Sequence, residues 1–343
     1  MTKINEIGSE FWDIPIADSQ NYLFPVQTQW FVSGRTALQA IIKDLQNCST
    51  VAVPSWSCHS MLKPFVDAGM QLCFYPVYFH NRTLIQEVRL DCDILFLMDY
   101  FGYSSDLPDL QNFNGFIIRD LTHSIFSQSY SDADFYFGSL RKWCGFWTGG
   151  YAWRQDRRQL FNSDLDNEAL LYIKLRKEAM ALKNSYITAY SDNIENKEHL
   201  KVYNEAEDLL DNLHIASAAE RDIDLIKSID LKFIKQRRRA NAELLMDAFK
   251  EFLIFPHLNE TDIPLFVPIL VPNGKRDKLR KILIEQKIYC PVHWPLSNLH
   301  NMEERTLSMI DCELSLVCDQ RYTEKDMERI IEAINLFWKQ DLQ

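Results

Sequence analysis

The stretch that decides the fold runs from Asp120 to Gly150 and reads DLTHSIFSQSYSDADFYFGSLRKWCGFWTGG. It opens with an acid, Asp120, at the end of an apolar run, and His123 follows three residues later. A second apolar run, residues 134–137, leads into Gly-Ser-Leu-Arg-Lys, whose lysine is Lys142. The pattern predicts two neighbouring strands that carry an acid and a lysine at their carboxyl ends.

An acid and a lysine in this arrangement suit an enzyme that uses pyridoxal phosphate (PLP). The amine of Lys142 would form a Schiff base with the aldehyde of the cofactor. The carboxylate of Asp120 would lie against the pyridine nitrogen and keep it protonated, so that the ring can accept electrons. Ser139, three residues before the lysine, offers a hydroxyl to the phosphate. Lys142 and Asp120 are therefore the predicted catalytic residues.

A solvated surface charge is the ordinary alternative for Lys142. Three features favour a site: the lysine follows an apolar strand, a serine precedes it, and its neighbours are Trp143, Cys144, Phe146 and Trp147. We therefore expect these neighbours to desolvate the amine partly, which would favour its uncharged, reactive form.

Length and composition bound the possible classes of protein. The 343 residues are 47% hydrophobic and 25% charged, which suits two domains or one large domain with an appendage. A net charge of -11 argues against nucleic-acid binding, which needs clustered lysines and arginines. The eight cysteines show neither CxxC nor metal-ligand spacing, so we expect buried thiols in a reducing cytoplasm and no metal. No secretory signal or bilayer-spanning run is present, so we expect no membrane partner.

The segment Ser33-Gly34-Arg35-Thr36 precedes a helix whose apolar residues recur at helical spacing. Free backbone N–H groups at such a helix start favour a phosphate. A simple helix cap is the alternative interpretation of this segment.

Apolar runs then alternate with helical patterns, which predicts a mostly parallel, doubly wound α/β domain. The predicted strands are residues 50–54, 71–76, 94–98, 116–118 and 135–137. Ligands bind beyond the carboxyl ends of such strands. We therefore expect a shared site from the residues that follow strand ends, which are Ser55, Asp99, Asp120 and Ser139.

The predicted organisation is an N-terminal arm (1–30), a large PLP-binding α/β domain (31–225), and a linker helix with a small α+β domain (226–343). One long helix is predicted from about 218 to 249. Thr323 and Asp326 predict a capping box at the start of the final helix.

The order of these motifs resembles the DegT/DnrJ/EryC1/StrS family of sugar aminotransferases, within the aspartate aminotransferase fold (fold type I) of PLP enzymes. The resemblance covers residues 31–340. Its segments are Ser33–Leu38, Val53–Ser57, Asp99–Gly102, Asp120–His123, Ser139–Lys142 with Gly149–Gly150, Ile288–His293 and Glu313–Thr323.

The resemblance implies a homodimeric transaminase that moves an amino group from an amino acid, with glutamate as the expected donor, to a keto-sugar or nucleotide-linked keto-sugar. It implies a substrate contact from His293. The implied cofactor-binding residues are Gly34, Arg35, Thr36, Trp56, Cys58, His59, Asp120, His123, Ser139, Lys142 and Asn212.

The sequence departs from the family pattern at two places. The aromatic residue that covers the cofactor ring falls near Cys58 or His59, with Trp56 close by. The family's Asn-x-Arg loop is reduced to Asn212, because no arginine follows. Three alternatives therefore stay open: a scaffold that binds PLP or a sugar nucleotide without turnover, another PLP reaction, and a plain nucleotide-binding protein. Lys142 counts against a dehydratase, and no GxGxxG or P-loop supports the last alternative.

Overall fold

The computed structural model describes residues 6–20, 23–105, 110–127, 133–188 and 197–341. Residues 1–5 and 21–22 of the predicted arm, and residues 128–132 of the deciding stretch, lie outside this range. The chain forms two compact units. Of the described residues, those within 10–47 and 133–231 form the first unit, and those within 6–9, 48–127 and 232–341 form the second. The predicted domain boundaries near residues 30 and 225 stay a prediction.

The strands in the described residues are β1 (Ile7–Gly8), β2 (Gln29–Phe31), β3 (Thr50–Pro54), β4 (Gln71–Tyr75), β5 (Val77–His80), β6 (Thr83–Gln86), β7 (Ile94–Met98), β8 (Phe116–Asp120), β9 (Phe135–Ser139), β10 (Gly150–Arg154), β11 (Phe266–Leu270), β12 (Ile288–Tyr289) and β13 (Glu313–Val317). The five strands predicted between residues 50 and 137 are all present. The strands β1, β2, β5, β6, β10 and β13 were not predicted.

The helices are α1 (Gly34–Asp44), α2 (His59–Asp67), α3 (Asn167–Thr188), α4 (Glu198–Leu210), α5 (Glu220–Ile226), α6 (Leu231–Ala248), α7 (Arg276–Glu285), α8 (Glu304–Cys312) and α9 (Glu324–Asp341). Two short 3-10 turns span Leu140–Lys142 and Lys250–Phe252. All eight cysteines are free thiols.

In the first unit, β10 pairs antiparallel with both β2 and β9, so β2 and β9 run in the same direction. Gly150 of β10 lies opposite Phe31 on one side and Ser139 on the other. A Cβ atom on Gly150 would lie 2.1 Å from the carbonyl oxygen of Ser33. Only glycine therefore lets the backbone before α1 come this close to the strand that pairs with β9.

In the second unit, four parallel strands follow the order β8-β7-β3-β4. Residues 51–53 and 94–98 are buried throughout, because such strands are covered on both faces. The continuous apolar runs thus predicted parallel strands correctly. Asp99 directly follows β7, and Asp120 is the last residue of β8.

The single long helix predicted from about 218 to 249 is wrong, because two helices, α5 and α6, cover this range. Residues 227–230 between them pair instead with the segment near residue 16. The backbone N–H of Ala17 donates to the carbonyl of Ser228, and that of Asp230 donates to the carbonyl of Pro15. These tertiary hydrogen bonds override a helical pattern that continues through the break.

The C-terminal part of the second unit pairs β11 antiparallel with β13 and β1 parallel with β12. Strand β12 has only two residues and ends at Tyr289. Thr323 precedes α9, and its backbone N–H and hydroxyl both donate to the carboxylate of Asp326 at 2.8 Å. Asp326 therefore caps the backbone N–H of Thr323, which is one of the two hydrogen bonds of the predicted capping box, while the backbone N–H of Asp326 donates to the carbonyl of Thr323 and not to its hydroxyl.

Candidate active site

The start of α1 in the first unit is a capping box. The hydroxyl of Ser33 accepts the backbone N–H of Thr36 at 3.2 Å, and the hydroxyl of Thr36 accepts the backbone N–H of Ser33 at 3.1 Å. Thr36 is fully buried, and its hydroxyl also donates to the carbonyl of Ser33. Thr36 therefore shapes the loop, while its own N–H group is already used.

Gly34 and Arg35 occupy the first two positions of α1, where the helix offers no partner to the backbone N–H. In the described chain, these two N–H groups have no other acceptor. A Cβ atom on Gly34 would lie 3.3 Å from the Cβ of Ser139 and 3.4 Å from the carbonyl oxygen of Gly138. The structure thus brings together Gly34 and Ser139, two of the residues predicted to bind phosphate.

Arg35 forms an ion pair with Asp211, the residue before Asn212. The Arg35 side chain is 22% exposed and that of Asp211 is 50% exposed. Asn212 is exposed just beyond the end of α4. The pair therefore ties the predicted phosphate loop to the segment that carries Asn212.

Lys142 ends the 3-10 turn that directly follows β9, and the residue is exposed. The expected partial desolvation of its amine by aromatic neighbours stays a prediction. Trp143, Cys144 and Phe146 are fully buried, because the turn directs them into the interior of the first unit. The amine remains accessible to a carbonyl compound, which a Schiff-base lysine requires.

Arg141, the residue before Lys142, belongs to a charged cluster with Arg176 and Glu207 that was not predicted from the sequence. Arg141 donates to the carboxylate of Glu207 on α4, and Arg176 Nη1 lies 3.7 Å from the same carboxylate. Burial raises the pKa of Glu207, but Arg141, Arg176 and Lys142 together lower it to about 2. Glu207 is thus held as an anion, and it anchors the turn that presents Lys142.

Asp120 in the second unit is 2% exposed, and its carboxylate accepts the backbone N–H of Thr122 at 2.8 Å. Burial raises the pKa of Asp120 to about 6 against the hydrogen bonds of Thr122, and the charge of Asp99 raises it further. Within the described residues, no cation lies at ion-pairing distance from Asp120. A buried carboxylate in this state would be stabilised by a cationic ligand.

The neighbouring acid, Asp99, already has a cation. Arg119 Nη2 lies 2.7 Å from Asp99 Oδ1, and the hydroxyl of Ser124 donates to Asp99 Oδ2 at 2.6 Å. Burial raises the pKa of Asp99, while Arg119 and Ser124 oppose this effect. Asp99 therefore serves an internal ion pair, and Asp120 is the acid left for a ligand.

His123 lies in an aromatic cluster with Phe101 and Trp294. Its ring lies 5.5 Å from that of Trp294 at an interplanar angle of 21°, and 5.1 Å from that of Phe101. The backbone N–H of Phe101 donates to its Nδ1 at 3.4 Å. Asp120 and His123, three residues apart, thus belong to the same buried region at the end of β8.

The three candidates for covering a ligand ring differ in accessibility. Trp56 is fully buried, its ring is stacked on that of Tyr100 at 4.8 Å, and its indole N–H donates to the carbonyl of His293. Cys58 and His59, at the start of α2, are partly exposed. A ligand can therefore reach Cys58 or His59 without displacing a packed ring.

His293 follows β12 and lies close to His123, with 6.0 Å between the ring centroids. Its Nδ1 lies 2.8 Å from the hydroxyl of Ser315, which donates to Glu313. Glu313 and Ser315 were not predicted as site residues. The signal that could have found them is a polar Glu-x-Ser spacing within the otherwise apolar strand β13, which places both side chains on one face.

Each unit offers groups that fit a different part of PLP. In the first unit, two unused N–H groups, the Ser139 hydroxyl and the Lys142 amine suit a phosphate and an aldehyde. In the second unit, the buried Asp120 carboxylate suits a protonated pyridine nitrogen. The residues present therefore fit the predicted cofactor.

The chain has an aminotransferase fold, which confirms the predicted fold class. It is similar to Helicobacter pylori PseC, an aminotransferase involved in the biosynthesis of pseudoaminic acid, at a TM-score of 0.62 and 14% identity over 97% of this chain and 100% of that one. It is similar to a DegT DnrJ EryC1 StrS aminotransferase from Brucella abortus at a TM-score of 0.56 and 17% identity, over 90% of this chain and 85% of that one. It is also similar to the proposed sugar aminotransferase Spr1654 from Streptococcus pneumoniae in its PLP-form. The TM-score is 0.56 and the identity is 15%, over 89% of this chain and 85% of that one.

At these identities, the similarity establishes the fold alone. No protein-family model matches the sequence, and no curated protein matches it. Among the helices in the described part of the chain, none is long and apolar enough to cross a membrane.

Proposed function

We propose that the protein is a PLP-dependent aminotransferase of the DegT/DnrJ/EryC1/StrS type. It would move an amino group from an amino acid, with glutamate as the expected donor, to a keto-sugar or nucleotide-linked keto-sugar. The observation that carries the proposal is the buried carboxylate of Asp120, which has no cation among the described residues, at a strand end in an aminotransferase fold. The family motifs in the sequence support the same proposal.

The surroundings of the residues support the following proposed roles. When bound, PLP supplies an electron sink for the carbon that exchanges its amino group. Lys142 holds the cofactor through its amine and, once released, moves a proton at the substrate carbon. Asp120 keeps the ring nitrogen protonated, and the N–H groups of Gly34 and Arg35 bind the phosphate together with Ser139.

A scaffold that binds PLP without turnover is the second candidate. The observation that favours it is the segment after Asn212, where Leu213 and His214 stand and no arginine follows. In that case the cofactor would still bind, but the amino group of an amino acid would not be transferred to it.

A spectroscopic experiment tests the proposal. The purified protein should turn yellow with PLP, and borohydride should fix the cofactor covalently to residue 142, as peptide mapping would reveal. Lys142→Ala should abolish this linkage, while Lys174→Ala, which removes another exposed lysine of the first unit, should leave it unchanged. A colourless protein after addition of PLP, or a label on a different lysine, would contradict the proposal.

Glutamate separates the two candidates. An aminotransferase should convert the bound cofactor to its pyridoxamine form when glutamate is added, and a scaffold should give no change with any amino acid. Protein loaded with pyridoxamine phosphate can then be screened against nucleotide-linked keto-sugars and simpler keto-sugars to identify the acceptor.

We also propose a homodimer and a cytoplasmic location. The family resemblance and the exposed position of Asn212 support the homodimer, because the corresponding loop reaches a neighbouring subunit in the family. Sedimentation at working concentration tests it, and a monomer would contradict it.

A further inference from the structure

Three residues of the second unit form a continuous hydrogen-bond chain. The hydroxyl of Ser315 donates to Glu313 Oε1 at 2.5 Å, and the same oxygen of Ser315 lies 2.8 Å from His293 Nδ1. The backbone N–H of His293 donates to Glu313 Oε2 at 2.7 Å, so the carboxylate holds both the histidine backbone and the serine. Glu313 and Ser315 are both 0% exposed, and the His293 side chain is 13% exposed.

Contacts of the surrounding strand and loop hold the three hydrogen-bonded residues in position. Glu313 and Ser315 lie two residues apart on β13, so their side chains lie on the same face of the strand. The backbone N–H of Ser315 donates to the carbonyl of Pro291, which holds the segment before His293 along the strand. The geometry is therefore determined by backbone contacts as well as by the side chains.

We propose that Glu313, Ser315 and His293 form a proton relay, in which Glu313 and Ser315 are positioning residues that set which imidazole nitrogen of His293 carries the proton. The inference rests on the proposed function for its chemical purpose, because the His293 ring lies 6.0 Å from that of His123, a predicted cofactor-binding residue. The relay itself requires only the hydrogen bonds described here.

The hydrogen-bond chain of Glu313, Ser315 and His293 has two possible proton arrangements. If Glu313 is ionised, Ser315 donates to it, His293 Nδ1–H donates to Ser315, and Nε2 is a proton acceptor. If Glu313 is protonated, it donates to Ser315, Ser315 donates to His293 Nδ1, and Nε2 carries the proton. A proton taken up at Nε2 is thus matched by the Nδ1 proton moving to Ser315 and the serine proton moving to Glu313.

Titratable and charged groups of the described residues act on the relay. Burial raises the pKa of Glu313 to about 8, and the hydrogen bonds from Ser315 and the backbone of His293, with the charge of Arg276, oppose this effect. Arg276 also donates to the backbone carbonyl of Glu313. The other groups nearby are the buried thiol of Cys290 and the ring of His123. Glu313 is thus able to exchange a proton near neutral pH.

Such a relay suits the exchange of a carbonyl oxygen for an amino group. The oxygen of a keto-sugar leaves as water by taking up two protons, which the attacking amino group gives up, and hydrolysis in the reverse direction returns them. A histidine whose Nε2 can both donate and accept serves both directions. We therefore assign the relay to the acceptor oxygen in the proposed reaction.

Nitrogen NMR of the full chain, labelled with ¹⁵N-histidine, tests the relay without cofactor. The His293 signals are assigned by their loss in His293→Asn. In the wild type, the tautomer should change from Nε2–H to Nδ1–H as the pH rises through about 8. In Glu313→Gln the amide still donates to Ser315, so His293 should stay in the Nε2–H form at all these pH values. The tautomer ratio at high pH should then differ from the wild type on the order of tenfold, as expected for one hydrogen bond.

A control and a second variant complete the experiment. Asp311→Asn removes an exposed carboxylate two residues from Glu313 and should leave the His293 titration unchanged. If Glu313→Gln does not fold, Ser315→Ala breaks the relay at its centre and should abolish the pH-driven tautomer change. The same tautomer change in wild type, Glu313→Gln and Ser315→Ala would overturn the relay.

The relay and the proposed function can fail separately. A pH-driven tautomer change that depends on Glu313, in a protein that takes up no PLP, would support the relay and refute the proposed function. In an active enzyme, Glu313→Gln should flatten the pH profile of kcat and leave KM unchanged. An active enzyme whose kcat profile and His293 tautomer ignore Glu313 would overturn the relay alone.

Discussion

Asp99 and Arg119 form an ion pair in the second unit, with 2.7 Å between Oδ1 and Nη2 and only 10% and 3% of the two side chains exposed. The pair uses the arginine that directly precedes Asp120 in the chain. Asp120 is consequently buried without a cation in the described part of the protein. The apo protein thus carries an electrostatic cost at the position where we propose that a cationic ring nitrogen binds.

This cost predicts the pH dependence of Asp120→Asn. Because burial raises the pKa of Asp120 from 3.8 to about 6, the folded state binds a proton more tightly than the unfolded state. The wild type should therefore lose about 3 kcal/mol of stability from this group as the pH rises through that interval. The asparagine in Asp120→Asn cannot ionise. The free energy of unfolding of the variant should therefore rise relative to that of the wild type between about pH 4 and pH 7. Urea unfolding without cofactor measures this difference.

The control for this experiment is Asp311→Asn, which removes an exposed carboxylate. The difference in the free energy of unfolding between this variant and the wild type should not vary with pH. The same Asp120→Asn variant should bind PLP more weakly and lose about 10²–10³-fold in transamination rate, as when other preorganised charges are removed. A variant that is less stable than the wild type at pH 7 and fully active would contradict both expectations.

The ion pair itself predicts a destabilised variant. Arg119→Met removes the cation and leaves the carboxylate of Asp99 buried, with Ser124 as its remaining side-chain donor. Breaking such a pair on one side costs about 3–5 kcal/mol. Urea unfolding measures the loss, and the double variant Asp99→Asn, Arg119→Met should recover part of it. Equal stabilities of the single and the double variant would contradict the burial of an unpaired charge.

The elements that the sequence predicts best are those whose local pattern and tertiary burial agree. Residues 51–53 and 94–98 are apolar runs because both faces of these strands are covered, so the pattern alone identifies them. The start of α1 is similarly local, because Ser33 and Thr36 cap each other. The segment 227–230 is the opposite case, since its helical pattern yields to hydrogen bonds from residues more than 200 positions away.

The candidate site follows the same division. Gly34 and Ser139 were both predicted for the phosphate, and the fold brings them together. The exposure of Lys142 was not predicted, because aromatic neighbours in sequence do not reveal which face of a short turn they occupy. The pairing of Arg141 with Glu207 joins residues 66 positions apart, which no local spacing indicates.

The charged cluster of Arg141, Arg176 and Glu207 predicts a contribution to stability that is lost in acid. Because Arg141, Arg176 and Lys142 lower the pKa of Glu207 to about 2 against the effect of burial, the ionised form stabilises the folded state. This stability is fully present above its usual value of 4.5 and is lost as the pH falls towards about 2. The Glu207 side chain is 42% exposed, so solvent screens the attraction, and we expect a loss of about 1 kcal/mol for Glu207→Gln at neutral pH.

Urea midpoints at about pH 2 and pH 6 measure this contribution. The wild type and Glu207→Gln should differ at the higher pH and converge at the lower one, because protonation removes the same charge. Glu205→Gln, on the same helix, is the matched control, since Glu205 is exposed and lies 4.0 Å from Lys201. Its difference from the wild type should be small at both pH values. A Glu207→Gln difference that grows in acid would contradict the assigned charges.

The contact between Gly34 and Ser139 predicts a phosphate-specific loss of affinity. A methyl group on Gly34 would lie 3.3 Å from the Cβ of Ser139, so Gly34→Ala requires Ser139 to shift by a few tenths of an ångström. Ser139→Ala removes a hydroxyl that has no hydrogen-bond partner in the described residues and is free for the phosphate. Each change should weaken PLP binding about tenfold to a hundredfold, as expected for a hydrogen bond to a charged group.

Binding of pyridoxal, which lacks the phosphate, should change little, and titration with both compounds gives the ratio of their affinities. Ser308→Ala, an exposed serine of α8, should leave both affinities unchanged. Equal losses for PLP and pyridoxal in Ser139→Ala would place the phosphate elsewhere.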